Sequence, residues 1–219
     1  MKTSEYLCTN RYPGRIIAAG VTPGGKVFYA YAIMGRSPNS RNRVFRVSDT
    51  IVETLPFDVS KVEDPSLIIY PAILKTDDFT VVANGIQSVV IKDALENGKT
   101  LENAISECTF EPDAPNFTPR ISLVIKPNTF EFAINRRLSD GSCERCVWRY
   151  PLVVGDMRII HTYEGDGNPL VSFVGEPRKL ESEDNCAELL WESLDKENRI
   201  SLYVMEGSNE TVFNARESE

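Results

Sequence analysis

The sequence predicts an α+β fold made mostly of antiparallel sheet, and three observations lead there. Short runs rich in Val, Ile, Tyr and Phe recur along the chain, separated by tight-turn residues that favour hairpins. Helical spacing of apolar residues is confined to two regions, roughly 86–105 and 183–196. Neither a low-complexity linker nor an internal repeat interrupts the 219 residues, so one domain over 1–219 is expected.

Taken in order, Ile16 to Ala19 and Val27 to Met34 flank Thr22-Pro-Gly-Gly-Lys26 and predict a β-hairpin. Val44 to Val47 and Ile51 to Leu55 are further strands. Leu67 to Leu74 and Phe79 to Ala83 form a second hairpin across Thr76-Asp77-Asp78. The period then changes: Ile86, Val89, Val90 and Leu95 recur at helical spacing until Asn97-Gly98. Thr100 is the expected N-cap of a second helix with Leu101, Ala104 and Ile105 on its apolar face. Pro112 and Pro115 bound a loop. Ile121 to Ile125 and Thr129 to Asn135 make a third hairpin, and strands follow near Cys146 to Tyr150, Met157 to Tyr163 and Leu170 to Val174. Ser182 is the expected cap of a helix from Glu183 to about Lys196, whose stripe is Ala187, Leu190, Trp191 and Leu194. Ile200 to Met205 returns as a strand. Residues 1–11 are expected to be an N-terminal extension, and 207–219 a polar tail that frays from Asn214.

Composition narrows the function. The chain is acidic, with a net charge of −8, which argues against a general nucleic-acid binder. It has no apolar run of membrane-spanning length and no signal-peptide pattern, so a cytoplasmic location is expected, with no membrane partner. The five scattered cysteines are expected to be free thiols. Against this acidic background, the stretch from Arg11 to Arg46 holds seven basic residues and no acid. Four of them, Arg36, Arg41, Arg43 and Arg46, fall in "MGRSPNSRNRVFR" among serines and asparagines. Guanidinium forks with neutral donors around them suit a small anion such as phosphate.

Other motifs carry less. Cys143-Glu-Arg-Cys146 lacks further ligands at zinc-site spacing and no metal site is expected. His161, the single histidine, stands on a strand, and no G-x-S-x-G elbow supplies a nucleophile for a triad. Glu164-Gly-Asp-Gly-Asn168 is a turn, and Thr22-Pro-Gly-Gly-Lys26 is too short for a phosphate loop.

Three segments in order resemble the archaeal-type IMP cyclohydrolase family and its bacterial branch. They are "YPGRIIAAGVTPGGKVFYAYAIMGRSPNSRNRVF" (Tyr12 to Phe45), "VVANGIQ" (Val81 to Gln87) and "FEPDAPNFTPRISLVI" (Phe110 to Ile125), with "HTYEGDGNPLVSF" closer to the bacterial branch. The resemblance covers roughly residues 12 to 175. It implies a four-layer αββα sandwich like that of the N-terminal nucleophile hydrolases. It also implies closure of the purine ring of formylaminoimidazole carboxamide ribonucleotide (FAICAR) to inosine monophosphate and water, without metal or cofactor. The implied partner is a purine ribonucleotide monophosphate, and assembly of several copies stays open.

Carried over residue by residue, Arg36 and Ser37 match the family's Arg-Ser, with Arg41 and Arg43 as further phosphate or base contacts. Arg15 matches the arginine of Tyr-x-Gly-Arg. Tyr70 aligns with a family tyrosine that donates a proton or holds the oxyanion. Glu111 is the implied general base or acid. Asn84, Asn116 and Arg120 complete the substrate contacts, although Phe117-Thr118 stand between Asn116 and Pro119 here. Arg36, Tyr70 and Glu111 form the expected catalytic set. Two alternatives remain: a nucleotide-binding relative without turnover, and an amide hydrolase that exposes an N-terminal nucleophile near Cys8-Thr9.

Overall fold

Strand β1 (Arg15–Val21) is buried along its whole length, which is why its sequence is almost continuously apolar rather than alternating. Its residues still alternate between two cores. Ile17 and Ala19 face one hydrophobic cluster, while Ile16 and Ala18 face another. Strand β2 (Val27–Met34) repeats the pattern, with Tyr29, Tyr31 and Ile33 on the first side and Phe28, Ala30, Ala32 and Met34 on the second. This double burial is the local cause of the architecture in the computed structural model, which describes residues 1–62, 65 and 68–216.

Two antiparallel sheets face each other. The first has six strands in the order β11-β10-β1-β2-β12-β13, with β10 (Asp156–His161), β11 (Arg178–Glu181), β12 (Arg199–Glu206) and β13 (Asn209–Asn214). The second is a seven-stranded meander in chain order: β3 (Val44–Val47), β4 (Ile51–Leu55), β5 (Tyr70–Lys75), β6 (Thr80–Ala83), β7 (Arg120–Lys126), β8 (Thr129–Arg137) and β9 (Cys143–Pro151). The core between them takes Tyr31, Ile33 and Tyr203 from the first sheet and Ile73, Leu123 and Phe132 from the second. Each fully buried side chain of this size contributes about 2–3 kcal/mol of transfer free energy.

The outer faces are covered by helices. Helices α1 (Thr3–Cys8) and α4 (Cys186–Ser193) pack on the six-stranded sheet, where Leu7, Ala187 and Leu190 meet Ile16, Phe28 and Leu202. Helices α2 (Gln87–Glu96) and α3 (Leu101–Ser106) pack on the other, where Ile91, Leu101 and Ile105 meet Val81, Val124 and Ala133. The Thr100 cap is realised as a capping box with Asn103.

Three expectations need correction. Leu170 to Val174 is not a strand, because its one ladder contact is an isolated bridge from Ser172 to Tyr163. Ser182 does not cap α4: its hydroxyl donates to the Val21 carbonyl at 2.7 Å, and the helix starts after Asn185, in left-handed conformation at φ 58°. The polar segment from 207 is ordered as β13 through Asn214, paired along β12. The N-terminal extension carries α1, whose Tyr6 hydroxyl lies 2.7 Å from His161 Nε2. The expected strand start at Leu67 and the tail residues 217–219 lie outside the described residues. Among the described residues no helix is long and apolar enough to cross a membrane.

Candidate functional site

The chemistry-bearing residues gather where β1 begins and β2 ends. There a cleft of about 290 Å³ is lined by Tyr12, Arg15, Arg36, Ser37, Asn39, Ser40, Arg43, Ile68, Glu111, Asp113, Asn116, Tyr163 and Leu170. Five segments supply the walls: the start of β1, the arginine loop 35–43 after β2, Ile68 just before β5, the loop 111–118 before β7, and the segment after β10.

The start of β1 is shaped by Gly14, at φ 80°. A Cβ there would lie 2.2 Å from Thr162 Oγ1 and 2.6 Å from the Tyr163 ring, so only glycine lets that ring reach the cleft. Arg15 follows, 7 % exposed, and its Nε is buried with no hydrogen-bond partner. Burial pulls its guanidinium down, but Glu111 and the hydroxyls of Tyr70, Tyr163 and Tyr12 outweigh that and hold its pKa above the ordinary arginine value.

The arginine loop closes on itself. Ser37 and Ser40 exchange hydrogen bonds, Arg41 N donates to Ser37 O, and Asn42 clamps the Asp58 backbone at 2.8 and 2.7 Å. This folding separates the arginines. Arg43 is carried inward, 5 % exposed, with Nε and Nη1 buried and unpartnered. Burial and then the neighbouring Arg15 push its pKa down. Arg36 stays at the mouth, lying over the Tyr12 ring at 4.6 Å and donating to the Asp166 and Gly167 carbonyls at 2.8 and 3.4 Å. Arg41 turns back to the Gly35 carbonyl, and Arg46 is exposed.

Glu111 is 2 % exposed and faces Arg120, whose Nη1 is 3.5 Å from its Oε1 and donates to Gln87 Oε1 at 3.1 Å. Burial pushes the Glu111 carboxyl up, while Arg15, Arg120 and Arg43 pull it back; the net direction is upward. Gly85 makes room for that arginine, since a Cβ at Gly85 would sit 1.4 Å from Arg120 Nη1. Next along the loop, Asp113 Oδ1 accepts from Thr118 N at 2.6 Å, and its Oδ2 accepts from the Thr118 hydroxyl. That hydroxyl is also 2.5 Å from Tyr163 Oη. Tyr70 is buried behind the wall, its hydroxyl 2.8 Å from that of Tyr31, and both hydroxyls act on the Arg15 and Arg43 charges.

Of the sequence-predicted residues, Arg15, Arg36, Ser37, Arg43, Glu111 and Asn116 therefore line one cleft. Tyr70 and Arg120 stand directly behind it. Asn84 is occupied structurally: it donates to the Pro119 carbonyl and accepts from Ile121 N and Gln87 Nε2, so it sets the entry of β7 rather than facing the cleft. Sequence reasoning missed Tyr12, Asp113 and Tyr163, and it counted Asn39 and Ser40 only among the neutral donors of the arginine stretch. Tyr12 and Asp113 stood within the quoted motifs, and Tyr163 within "HTYEGDG", but spacing alone gave them no task.

Two other motifs resolve as structural. Cys143 and Cys146 stand three residues apart on β9, hence on opposite faces, and cannot chelate one ion together. His161 is buried between the Tyr6 hydroxyl and the Tyr163 carbonyl, 2.9 Å from Nδ1. The carbonyl only accepts, so Nδ1 carries the proton and Nε2 accepts from Tyr6. Burial pulls its pKa down to about 4. Cys8 is exposed at the end of α1, outside the cleft lining.

The chain is thus a two-sheet α+β protein with an arginine-lined cleft at one end of its strands. The profile of the IMP cyclohydrolase-like protein family matches residues 12–211, and the chain belongs to that family. Among similar proteins, the IMP cyclohydrolase of Methanothrix thermoacetophila is 32% identical over 168 residues, 75% of this chain and 80% of that one. That of Methanopyrus kandleri is 33% identical over 123 residues, 54% of this chain and 61% of that one. That of Methanococcus maripaludis is 33% identical over 119 residues, 52% and 58% respectively. The matched part thus spans less than two thirds of the Methanopyrus and Methanococcus proteins.

Proposed function

We propose that the protein is an IMP cyclohydrolase, closing the imidazole-linked formamide and carboxamide of FAICAR to inosine monophosphate with release of water. The observation that carries this reading is the pair of buried arginines, Arg15 and Arg43, with Arg15 Nε and Arg43 Nε and Nη1 left unpartnered beside a buried glutamate in one cleft. Buried guanidinium donors without partners are expensive unless a ligand satisfies them. Family membership supplies the substrate class. The order of two helix pairs outside two facing sheets supports the four-layer αββα sandwich of the N-terminal nucleophile hydrolases, folded as one domain.

Arg43, with Ser37, Asn39 and Ser40 of the loop, takes the ribose phosphate, and Arg36 closes the rim over it. Arg15, among Glu111, Tyr70 and Tyr163, faces the reacting atoms. The reaction tethers both groups in one molecule, so proximity is largely built into the substrate. What remains is to hold the conformer, to stabilise the alkoxide that forms when the carboxamide nitrogen attacks the formyl carbon, and to move protons. Arg15 suits the alkoxide, with the Tyr31–Tyr70 hydroxyl pair supporting its charge from behind the wall. Glu111, buried against Arg15 and Arg120, suits carrying a proton to that oxygen.

The test is turnover of FAICAR by purified protein, followed by the absorbance of inosine monophosphate. Ring closure no faster than the spontaneous rate, with folded protein, removes the reading. Tight nucleotide binding without turnover would leave the non-catalytic relative in its place.

A further inference from the structure

The hydrogen-bond order around Thr118 fixes something the residue list does not. Thr118 has one hydroxyl proton. Asp113 accepts through both oxygens, from Thr118 N and from the Thr118 hydroxyl, so that proton is committed to Asp113. The contact between Thr118 Oγ1 and Tyr163 Oη must then be donated by the tyrosine. The chain runs Tyr163 to Thr118 to Asp113, and the Tyr163 proton points into the buried Thr118, away from the cleft. Thr118 itself is fully buried, whereas Tyr163 and Asp113 both line the cleft. Tyr163 therefore offers the cleft a lone pair, and a group meeting it there must bring its own N–H or O–H. Arg15 lies near enough to the phenol to favour its charged form, although burial, the larger effect, pushes the Tyr163 pKa up to about 12. A phenol so disfavoured as a free anion works better by passing its proton on as it receives one.

We propose that Tyr163, Thr118 and Asp113 form a proton relay that deprotonates the ring-closing carboxamide nitrogen. This rests on the cyclohydrolase reading and gives a task to residues outside the Arg36, Tyr70 and Glu111 set. In the first step the nitrogen forms its bond to the formyl carbon and loses one N–H proton to Tyr163 Oη. The old Tyr163 proton passes to Thr118 Oγ1, and the old Thr118 proton to Asp113 Oδ2. The formyl C=O opens to an alkoxide, held by the Arg15 guanidinium. Asp113 is now protonated, and Glu111, ionised against Arg15 and Arg120, has not yet moved a proton. In the second step the relay runs backward and delivers its proton to the alkoxide, making a hydroxyl. Glu111 then takes the remaining formamide N–H proton and passes it to that hydroxyl, so that the C–O bond breaks with release of water as the ring double bond forms. Both carboxyls return to their starting states, and no outside acid or base is required.

Tyr163 touches the substrate and is the catalytic member; Thr118 and Asp113 act through it. The test uses Thr118→Val, close in shape but unable to relay, and Thr118→Ser, which keeps the hydroxyl. With FAICAR, Thr118→Val should lower kcat by about 30- to 1000-fold with KM within about threefold, and Thr118→Ser should restore most of it. A second readout needs no turnover. Inosine monophosphate carries an N1–H donor, whereas purine riboside 5′-monophosphate presents a bare N1 acceptor. Wild type should prefer the former. Thr118→Val frees the Tyr163 proton to turn outward, so it should bind the N1-acceptor nucleotide more tightly than wild type does, a gain that general damage does not produce. Unchanged kcat in Thr118→Val, or an equal loss of affinity for both nucleotides, overturns the relay. Absence of FAICAR turnover in wild type overturns the cyclohydrolase reading instead, and the nucleotide preference still judges the orientation of Tyr163.

Discussion

Replacing Arg43 by methionine should make the protein more stable and a poorer nucleotide binder at once. Methionine keeps the length of the side chain and its packing while removing the charge. In the folded protein Arg43 has two buried donors without partners, and the cation of Arg15 is beside it. Each unsatisfied buried donor costs about 1–3 kcal/mol, against which Glu111 returns part through attraction. A net gain of about 1–3 kcal/mol is expected, or about 2–12 °C in Tm for a chain of this size. The same guanidinium, once paired with a phosphate in a dry cleft, is worth about 2–4 kcal/mol, so inosine monophosphate should bind about 30- to 700-fold more weakly. Thermal unfolding with and without nucleotide, together with calorimetric titration, reads both effects. A lower Tm without ligand combined with unchanged affinity would refute the reasoning, because Arg43 would then be a structural residue whose partner lies within the protein.

Three further perturbations test the scaffold around the cleft. Gly85→Ala should push Arg120 off Gln87 and Glu111, since the added Cβ falls 1.4 Å from Arg120 Nη1; FAICAR turnover should drop at least about tenfold, and a full-rate variant would show that Arg120 is dispensable. His161 has a folded pKa of about 4 against a model-compound value of 6.5, so its contribution to stability is complete above 6.5 and is lost as pH falls toward 4. That amounts to about 3 kcal/mol across the window, and urea unfolding at several pH values should show the His161→Gln variant losing this part of the acid dependence. Asn214→Ala should release Phe45, whose N–H and C=O it holds at 2.9 and 3.3 Å, costing about 1–2 kcal/mol and, through slack in the adjoining arginine loop, raising KM more than it lowers kcat. Equal stability of that variant in urea unfolding would contradict the clasp.

The strands were legible because the hairpin turns announced them: β2, β3 and β4 occupy the predicted residues, and the Thr100 cap is where the sequence places it. The failures share a cause, which is tertiary competition for local signals. Ser182 looked like a cap but is recruited by the Val21 carbonyl, and Leu170 to Val174 has strand composition but pairs only at Ser172. β13 was missed because Asn209 to Asn214 is polar, and what orders it is pairing with β12. At the site, the basic stretch pointed to an anion pocket, yet composition could not separate Arg43, carried inward by the Asn42 clamp, from Arg41, which folds back on Gly35. Nor could it order three hydroxyl and carboxyl groups into one directed chain, because that depends on which atom of Thr118 meets which neighbour.

The place of β12 has a consequence for how the molecule is made. It pairs along the whole of β2, although more than a hundred residues separate them in the chain, and β13 follows it to bring Asn214 onto Phe45. While the chain leaves the ribosome, the first hairpin can close early but keeps a bare apolar edge on β2 until residues 199–214 emerge. The arginine loop has no clasp until then. The cleft is therefore among the last parts of the molecule to be completed, and chains stalled or truncated before β12 should expose a sticky strand edge rather than a weakened enzyme.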